Sequence, residues 1–317
     1  MKPLVILNPS AQQGKTGKRA GEIERAIERA LGPVDAAHTA APRDAVRLAE
    51  QAAREGREAV IAVGGDGTLH EVANGLMRAR ASVDRLPRLG LVGQGTGGDF
   101  RRTLGLPNEL AGYCAALGSG KTRAVDVGRF SFVNAKDEPD EAYFINILSV
   151  GMGGLVDRHV AHASRLLGGR VAYMTASLRA LWENEVGNLA CTLHGAAGAE
   201  PRSFEVATRS LAICNGRFFG SGMEVAPMAT PDDGLLHVVS LGAAGKISFL
   251  LSSLAIYSGE HVRNPEVHVW SGERIEVRLR NEEIRRSFLL DVDGEPLGQL
   301  PIDVQLVPRA IEVLVGA

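Results

Sequence analysis

The sequence predicts an α/β domain built on a doubly wound parallel sheet over residues 1–125. A mostly-β domain, a β-sandwich, is expected over residues 126–317. Three observations lead there. Strand and helix signals alternate through the first third of the chain. The loops following three of those strands are rich in glycine or small polar residues. After about Val125, short segments with period-two alternation take over. At 317 residues the chain has room for two cores of ordinary size.

In order, LVILN (4–8) reads as the first strand and Thr16–Leu31 as a charged helix. Val34–His38 is a second strand, followed by a helix opened by Pro42 and running to about Arg54 with Ala45, Leu48, Ala49 and Ala52 inward. The apolar run 59–63 is a buried strand. Thr68 and Glu71 have capping-box spacing, so a helix is expected from Thr68 to about residue 80. RLGLV (88–92) completes the series. The loops NPSAQQGKTG (8–17), GGDGT (64–68) and GQGTGGDF (93–100) should then gather at the carboxyl ends of the strands, where such sheets bind ligands.

In the second half, strands are expected at RAVDVGRF, YFINILSV, NLACTLH, SFEVATR, LAICN, LLHVVSL, EVHVW, RIEVRLR and RSFLLDVD. Helical insertions are expected at Leu155–Glu185 and Ile247–Tyr257, and surface loops at 135–141 and 195–201. The runs DVQLV and IEVLV fit either domain.

Composition narrows the function. Thirty-five basic against thirty-seven acidic residues give a net charge of −2, with no basic stripe for nucleic acid. Three scattered cysteines and no C-x-x-C point to a reduced, cytoplasmic setting. The apolar run at the start is too short for a signal peptide, and the 247–257 stretch is too short to span a bilayer. Any membrane contact is therefore expected to be peripheral.

The chemistry is concentrated in a few motifs. A glycine loop between a strand and a helix offers backbone N–H groups to phosphate. The carboxylate of Asp66 inside GGDGT needs a metal or a reacting hydroxyl beside such phosphates, which suggests phosphoryl transfer. GTGGDF repeats the recipe of glycine, hydroxyl and carboxylate. Asp232-Asp233-Gly234 reads as a hairpin turn or as a hard-oxygen cation site. In FLLDVDGE, alternation puts Phe288, Leu290 and Val292 on one face and Asp291 and Asp293 on the other, with Glu295 following. Three converging acids would raise at least one pKa, which prepares a general base.

Together these motifs resemble the diacylglycerol kinase catalytic-domain family, soluble bacterial lipid kinases related to sphingosine and ceramide kinases. The likeness runs through Asn8-Pro9, Thr39, GGDGT, GTGGDF, VDVG (125–128), FIN (144–146), NGRFFGSGMEVAP (215–227), DDGLL (232–236) and DGE (293–295). It implies a fold like that of the diacylglycerol and NAD kinases. ATP would be bound between the domains, with the γ-phosphate passed to the hydroxyl of a lipid such as diacylglycerol or a ceramide-like lipid. By the same likeness ATP would contact Asn8, Ser10 to Gly14, Thr39, Gly64, Gly65, Asp66, Gly67, Thr68, Leu69, His70, Gly95 and Thr96. Mg²⁺ would be held at Thr230, Asp233 and Leu235, the last through its carbonyl. Glu295 falls on the family's proton acceptor, with Asp293 and Asp66 as its catalytic companions.

Two positions depart from the family pattern P-x-G-T-x-N-D-F, since Gly93 and Gly98 stand where Pro and Asn are usual. His70 also replaces a common Asn. The expected partners are a lipid and a membrane surface touched by Phe218, Phe219 or the Leu166–Trp182 region, with a homodimer left open. Two other readings stand beside this one: an NAD kinase-like enzyme acting on a small molecule, and a non-catalytic nucleotide-binding regulator.

Overall fold

Every residue of β1 (Leu4–Leu7) and β3 (Ala59–Gly64) is buried, as apolar strands in the middle of a parallel sheet must be. The structure, a computed structural model, describes residues 1–95, 97–162, 179–195 and 200–316. β1 and β3 run parallel, with Leu4 opposite Val60 and Leu7 opposite Val63. β2 (Asp35–His38) flanks β1, and β4 (Arg88–Gly93) flanks β3, both in parallel. The order β2-β1-β3-β4 reverses between β1 and β3. At such a switch point the outgoing loops diverge and leave a crevice.

The helices of this unit are α1 (Lys15–Lys18), α2 (Ala20–Leu31), α3 (Asp44–Arg54), α4 (Asp66–Ala79), α5 (Asp99–Thr103) and α6 (Leu110–Gly118). α2 buries Ile23 and Ile27, and α3 buries Ala45, Ala49, Ala52 and Ala53. These join the strands in one apolar core with Leu69, Val72, Leu76 and Phe100.

By its contacts the chain divides into two compact units. The first holds Met1–Val127, Tyr143–Ile145 and Val307–Ala317; the second holds Gly128–Ala142 and Asn146–Leu306. The two terminal runs form a single strand, β17 (Glu295–Leu314). Its later residues belong to the first unit, where Val313 pairs in parallel with Leu89 of β4. There Arg80 Nη1 donates to the Ala310 carbonyl, and the Arg309 N–H donates to the buried Asp126 carboxylate, each at 2.6 Å.

The strands of the second half are β5 (Thr122–Asn134), β6 (Pro139–Phe144), β7 (Ile147–Gly151), β8 (Gly187–His194), β9 (Arg202–Thr208) and β10 (Ser210–Cys214). They continue with β11 (Phe218–Phe219), β12 (Met223–Glu224), β13 (Leu236–Ser240), β14 (His268–Gly272), β15 (Arg274–Leu279) and β16 (Leu289–Val292). Two antiparallel layers share β17: β14-β13-β10-β7-β16 on one side and β9-β8-β15 on the other. Inward positions alternate along β15 and β16, with Ile275, Val277, Leu290 and Val292 fully buried.

Several expectations shift in detail. The run 143–150 is not one strand but breaks at Ile145–Asn146 between β6 and β7. The 135–141 loop is shorter than expected, because β6 already starts at Pro139. The 155–185 insertion begins as α7 (Met152–His162) and ends in helix at residues 179–183, with 163–178 outside the described residues. The second insertion is an α-helix, Lys246–Ser253, continued by a 3₁₀ turn, Leu254–Ser258. The glycine loop after Asn215 contains the small hairpin β11–β12. Among the described residues no helix is long and apolar enough to cross a membrane.

Near that hairpin His261 is 3 % exposed, with Nε2 3.0 Å from the Val225 carbonyl and a buried Nδ1 that has no partner among the described residues. Burial pushes its pKa below the usual histidine value. The unfolded chain therefore binds this proton more readily, so stability is held above the ordinary histidine range and falls as pH drops through it. Urea melts at pH 7.5 and pH 5.5 should show a loss from this site of up to about 1.4 kcal/mol per pH unit. A His261→Gln variant should flatten that slope; an unchanged slope would assign it to other groups.

Candidate functional site

The loops leaving β1, β3 and β4 are tied to one another by specific bonds. Asn8, at the end of β1, donates from its backbone N–H to Val63 and from Nδ2 to Thr68 Oγ1 at 3.2 Å. Its Oδ1 accepts the Ser10 N–H at 3.0 Å. The chain then turns through Gln12 (φ 52°), Gln13 (φ 58°) and Gly14 (φ 83°). Two non-glycine residues in the left-handed region are a local strain of the kind that gathers at functional loops. Thr39, just past β2, donates its N–H to Leu7 and so stands beside the same strand ends.

The second and third loops meet backbone to backbone. A Cβ placed on Gly95 would lie 2.8 Å from the Gly65 Cα, closer than side chains pack. One on Gly65 would meet only the Gly95 Cα, at 3.6 Å. Gly64 closes the pair by accepting the Gln94 N–H at 2.6 Å. Asp66 bridges them: its carboxylate accepts the N–H groups of Gly98 at 2.8 Å and Asp99 at 3.1 Å. It thus serves the N-terminus of α5, while Asp99 is paired with Arg102 at 2.9 Å. Arg102 also donates to the Gly97 carbonyl, and Arg101 donates to that of Leu106, so both arginines brace this loop.

The expected Thr68–Glu71 capping box does not form. α4 begins at Asp66 with Gly65 as its N-cap and no side-chain cap. Thr68 is held by Asn8 instead, and Glu71 reaches the neighbouring helix, accepting the N–H groups of Arg43 at 3.0 Å and Ala45 at 3.1 Å. α4 thus opens on a glycine at the mouth of the loop cluster, and a helix N-terminus in that position favours an anion. Leu69 and His70 turn inward. Leu69 is a core residue, and His70 lies 3.3 Å from Asn74 Nδ2. Asn74 in turn holds Tyr143 through both its carbonyl and its N–H. Thr96 lies outside the described residues.

Both departures from the family pattern have local causes. At Gly93 a Cβ would run into the Tyr113 hydroxyl, which fills that space and donates to Asn108 at 3.1 Å. Burial raises the Tyr113 pKa, which keeps it a donor. Gly98 has φ 64°, the left-handed region that glycine adopts freely and asparagine tolerates best. The Asn-to-Gly exchange preserves the backbone that presents its N–H to Asp66.

In the second unit, Val292 pairs with Glu295, so Asp293 (φ 53°) and Gly294 (φ 89°) form a two-residue hairpin turn. The strand alternation expected to align three acids therefore ends at Val292. Asp293 is 7 % exposed, and its Oδ1 accepts the N–H groups of Asn146 and Ile147, each at 3.0 Å. Asp291 accepts the Gly294 N–H at 2.9 Å. The turn carrying Glu295, which is exposed, is thereby pinned to the break between β6 and β7. Asn146 donates Nδ2 to the Phe218 carbonyl at 2.9 Å, which adds the β11–β12 hairpin to this cluster.

The DDGLL segment is a turn. Asp233 accepts the Leu235 N–H at 2.9 Å, lies 3.1 Å from His237 Nε2, and donates its own N–H to Thr230. Among the described residues no three His, Cys, Asp or Glu side chains converge as a metal-binding group. The Thr230, Asp233 and Leu235 set supplies one carboxylate and backbone oxygens on one bend, hard donors that fit a small divalent cation completed by water. Tyr113, Asn74 and Asn146 hold the two clusters in shape, and sequence reasoning did not single them out; Glu71 reads in the sequence only as a capping residue. Only FIN, as a motif, touched one of them.

Residues 2–130 match the family model described as diacylglycerol kinase catalytic domain. Residues 146–315 match the YegS C-terminal NAD kinase beta sandwich-like domain. A diacylglycerol kinase of Bacillus subtilis is 26 % identical over 98 % of this chain and 95 % of its own length. A probable YegS-like lipid kinase of Chromohalobacter salexigens is 32 % identical over 90 % of this chain and 87 % of its own. A putative diacylglycerol kinase of Bacillus anthracis shares the fold with a TM-score of 0.77 at 21 % identity, covering 99 % of this chain and 95 % of that one. A yeast NADH kinase structure aligns with a TM-score of 0.51 at 11 % identity, over 100 % of this chain and 84 % of that one.

Proposed function

Since this chain belongs to the family of diacylglycerol kinases and YegS-like lipid kinases, we propose that it transfers the γ-phosphate of ATP to a lipid hydroxyl, with Mg²⁺. The observation that carries this reading is the joined pair of glycine loops at the β1/β3 switch point, with α4 opening on Gly65. Asp66 acts here as a positioning residue, since it holds the third loop in register with the second.

The reaction needs placement and charge neutralisation more than covalent chemistry. Backbone N–H groups of the GGDGT loop hold the phosphates. Glu295 takes the proton from the lipid hydroxyl as that oxygen bonds to the γ-phosphorus, and the β–γ bridging bond breaks to release ADP. Asp293 anchors the turn that carries Glu295 through Asn146 and Ile147. Mg²⁺ at Thr230, Asp233 and Leu235 would shape the second unit, with Asp233 as its charged ligand.

Transfer of labelled phosphate from ATP to diacylglycerol, ceramide, monoacylglycerol and NAD is the direct test. Lipid labelling supports the reading, labelling of NAD alone overturns the lipid assignment, and no labelling overturns the kinase. Millimolar Mg²⁺ should raise the Tm of the native protein, and Asp233→Ala should abolish that rise. If that rise survives, DDGLL is a plain turn.

A further inference from the structure

In the second unit, large apolar side chains stand exposed on two neighbouring arms. Trp182 is 68 % exposed at the end of the 155–185 insertion; Ile247 and Leu254 are each 71 % exposed and Tyr257 is 55 % exposed on the other arm. Each sits within two residues of a buried partner, and those partners (Leu181, Phe249 and Ile256) share one core. The exposed residues are thus the outward side of two arms whose inward sides are packed together.

The arms are also clasped. Lys246 donates to the Trp182 carbonyl and rests over the indole, with Nζ 5.6 Å from the ring centroid. Behind them Arg209, 7 % exposed, donates from Nε to the Ala244 carbonyl at 2.7 Å and from Nη1 to the Asn184 carbonyl at 3.3 Å. Burial lowers its pKa, and among the described residues it has no acidic partner. A buried cation held only by neutral oxygens is costly. Here it ties the root of one arm to the root of the other through the Ala244 and Asn184 carbonyls.

We propose that Trp182, Ile247, Leu254 and Tyr257 form an edge that inserts into the headgroup–acyl boundary of a lipid bilayer, with Lys246 at its rim. The inference rests on the reading of a lipid acceptor, which must be reached from a membrane. An indole beside a lysine, with an exposed tyrosine on the lysine's own arm, has the amphipathic chemistry of that boundary. The four side chains expose on the order of 500 Å² of surface, counting about 200 Å² for each large side chain. A stable dimer buries roughly 800 Å² per partner, which favours a bilayer over a second copy.

Co-sedimentation with vesicles of phosphatidylcholine and phosphatidylglycerol containing diacylglycerol tests this on the full chain. Ile247→Ser with Leu254→Ser should lower the vesicle-bound fraction at least tenfold. Trp182→Ser alone should lower it several-fold. Both changes lie at exposed positions, and a melt on each variant checks that it is folded. Phosphorylation of a short-chain diacylglycerol in solution should be unchanged. Vesicle binding that survives the double change overturns the edge, as does a native dimer that becomes monomeric while still binding vesicles. If vesicle binding is lost as expected but no lipid is ever phosphorylated, the edge stands and the kinase reading fails.

Discussion

Replacing Glu295 by glutamine should cut kcat on the lipid about 10²–10⁴-fold and leave ATP affinity, read by equilibrium titration, nearly intact. Glutamine keeps the shape of the side chain and loses its basicity. An unaided alcohol is a poor nucleophile at neutral pH, so a positioned base carries much of the rate. The supporting turn predicts a companion result. Asp293→Asn keeps an oxygen for the Asn146 and Ile147 N–H groups, whereas Asp293→Ala removes it and leaves two buried donors unmatched. The alanine variant should therefore lose stability by about 1–3 kcal/mol, and the asparagine variant much less. Turnover within a few-fold of native in Glu295→Gln would move the base elsewhere, with Asp66 the next carboxylate to test.

The second large effect is expected where the two glycine loops touch. Gly95→Ala forces a Cβ to 2.8 Å from the Gly65 Cα, and backbone cannot yield as a flexible side chain can. Overpacking of this kind costs about 1–3 kcal/mol, and ATP affinity should fall at least tenfold as the loops separate. Gly65→Ala is the control, because its Cβ would meet the Gly95 Cα at 3.6 Å, an ordinary contact. That variant should fold like the native protein and lose affinity only because a methyl group stands where phosphate approaches. Native ATP affinity in both would falsify the placement of the nucleotide on these loops.

The parts of the fold legible in the sequence were those set by local composition. The 59–63 run is strand-like because its side chains are apolar and largely β-branched, and the structure buries all of β3. Alternation at Phe288, Leu290 and Val292 was legible for the same reason, and all three are buried. Long-range partners were not legible. Thr68 and Glu71 have the spacing of a capping box, yet Thr68 is claimed by Asn8, sixty residues earlier, and Glu71 by the start of α3. Asp66 looked like a group aimed at ligand, and nothing local showed that each of its carboxylate oxygens also accepts an N–H from 32 or 33 residues on. The Asp293-Gly294 turn did carry a signal, since Asp-Gly between apolar strands favours a tight hairpin. Counting alternation straight through it hid the turn.

The return of β17 to the first unit sets an order of events during synthesis. Residues 307–314 leave the ribosome only after the whole second unit has been made. Until then β4 is a bare parallel edge, with Leu89 lacking Val313, Arg80 lacking the Ala310 carbonyl, and Asp126 lacking the Arg309 N–H. An open edge of that kind invites pairing with other chains, and strands far apart in sequence pair slowly. A nascent chain paused before residue 307 should accordingly be held by chaperones or aggregate, although every loop of the glycine-loop cluster has already been translated. The first unit is thus completed by β17, so its maturation is tied to completion of the second unit, which carries Glu295.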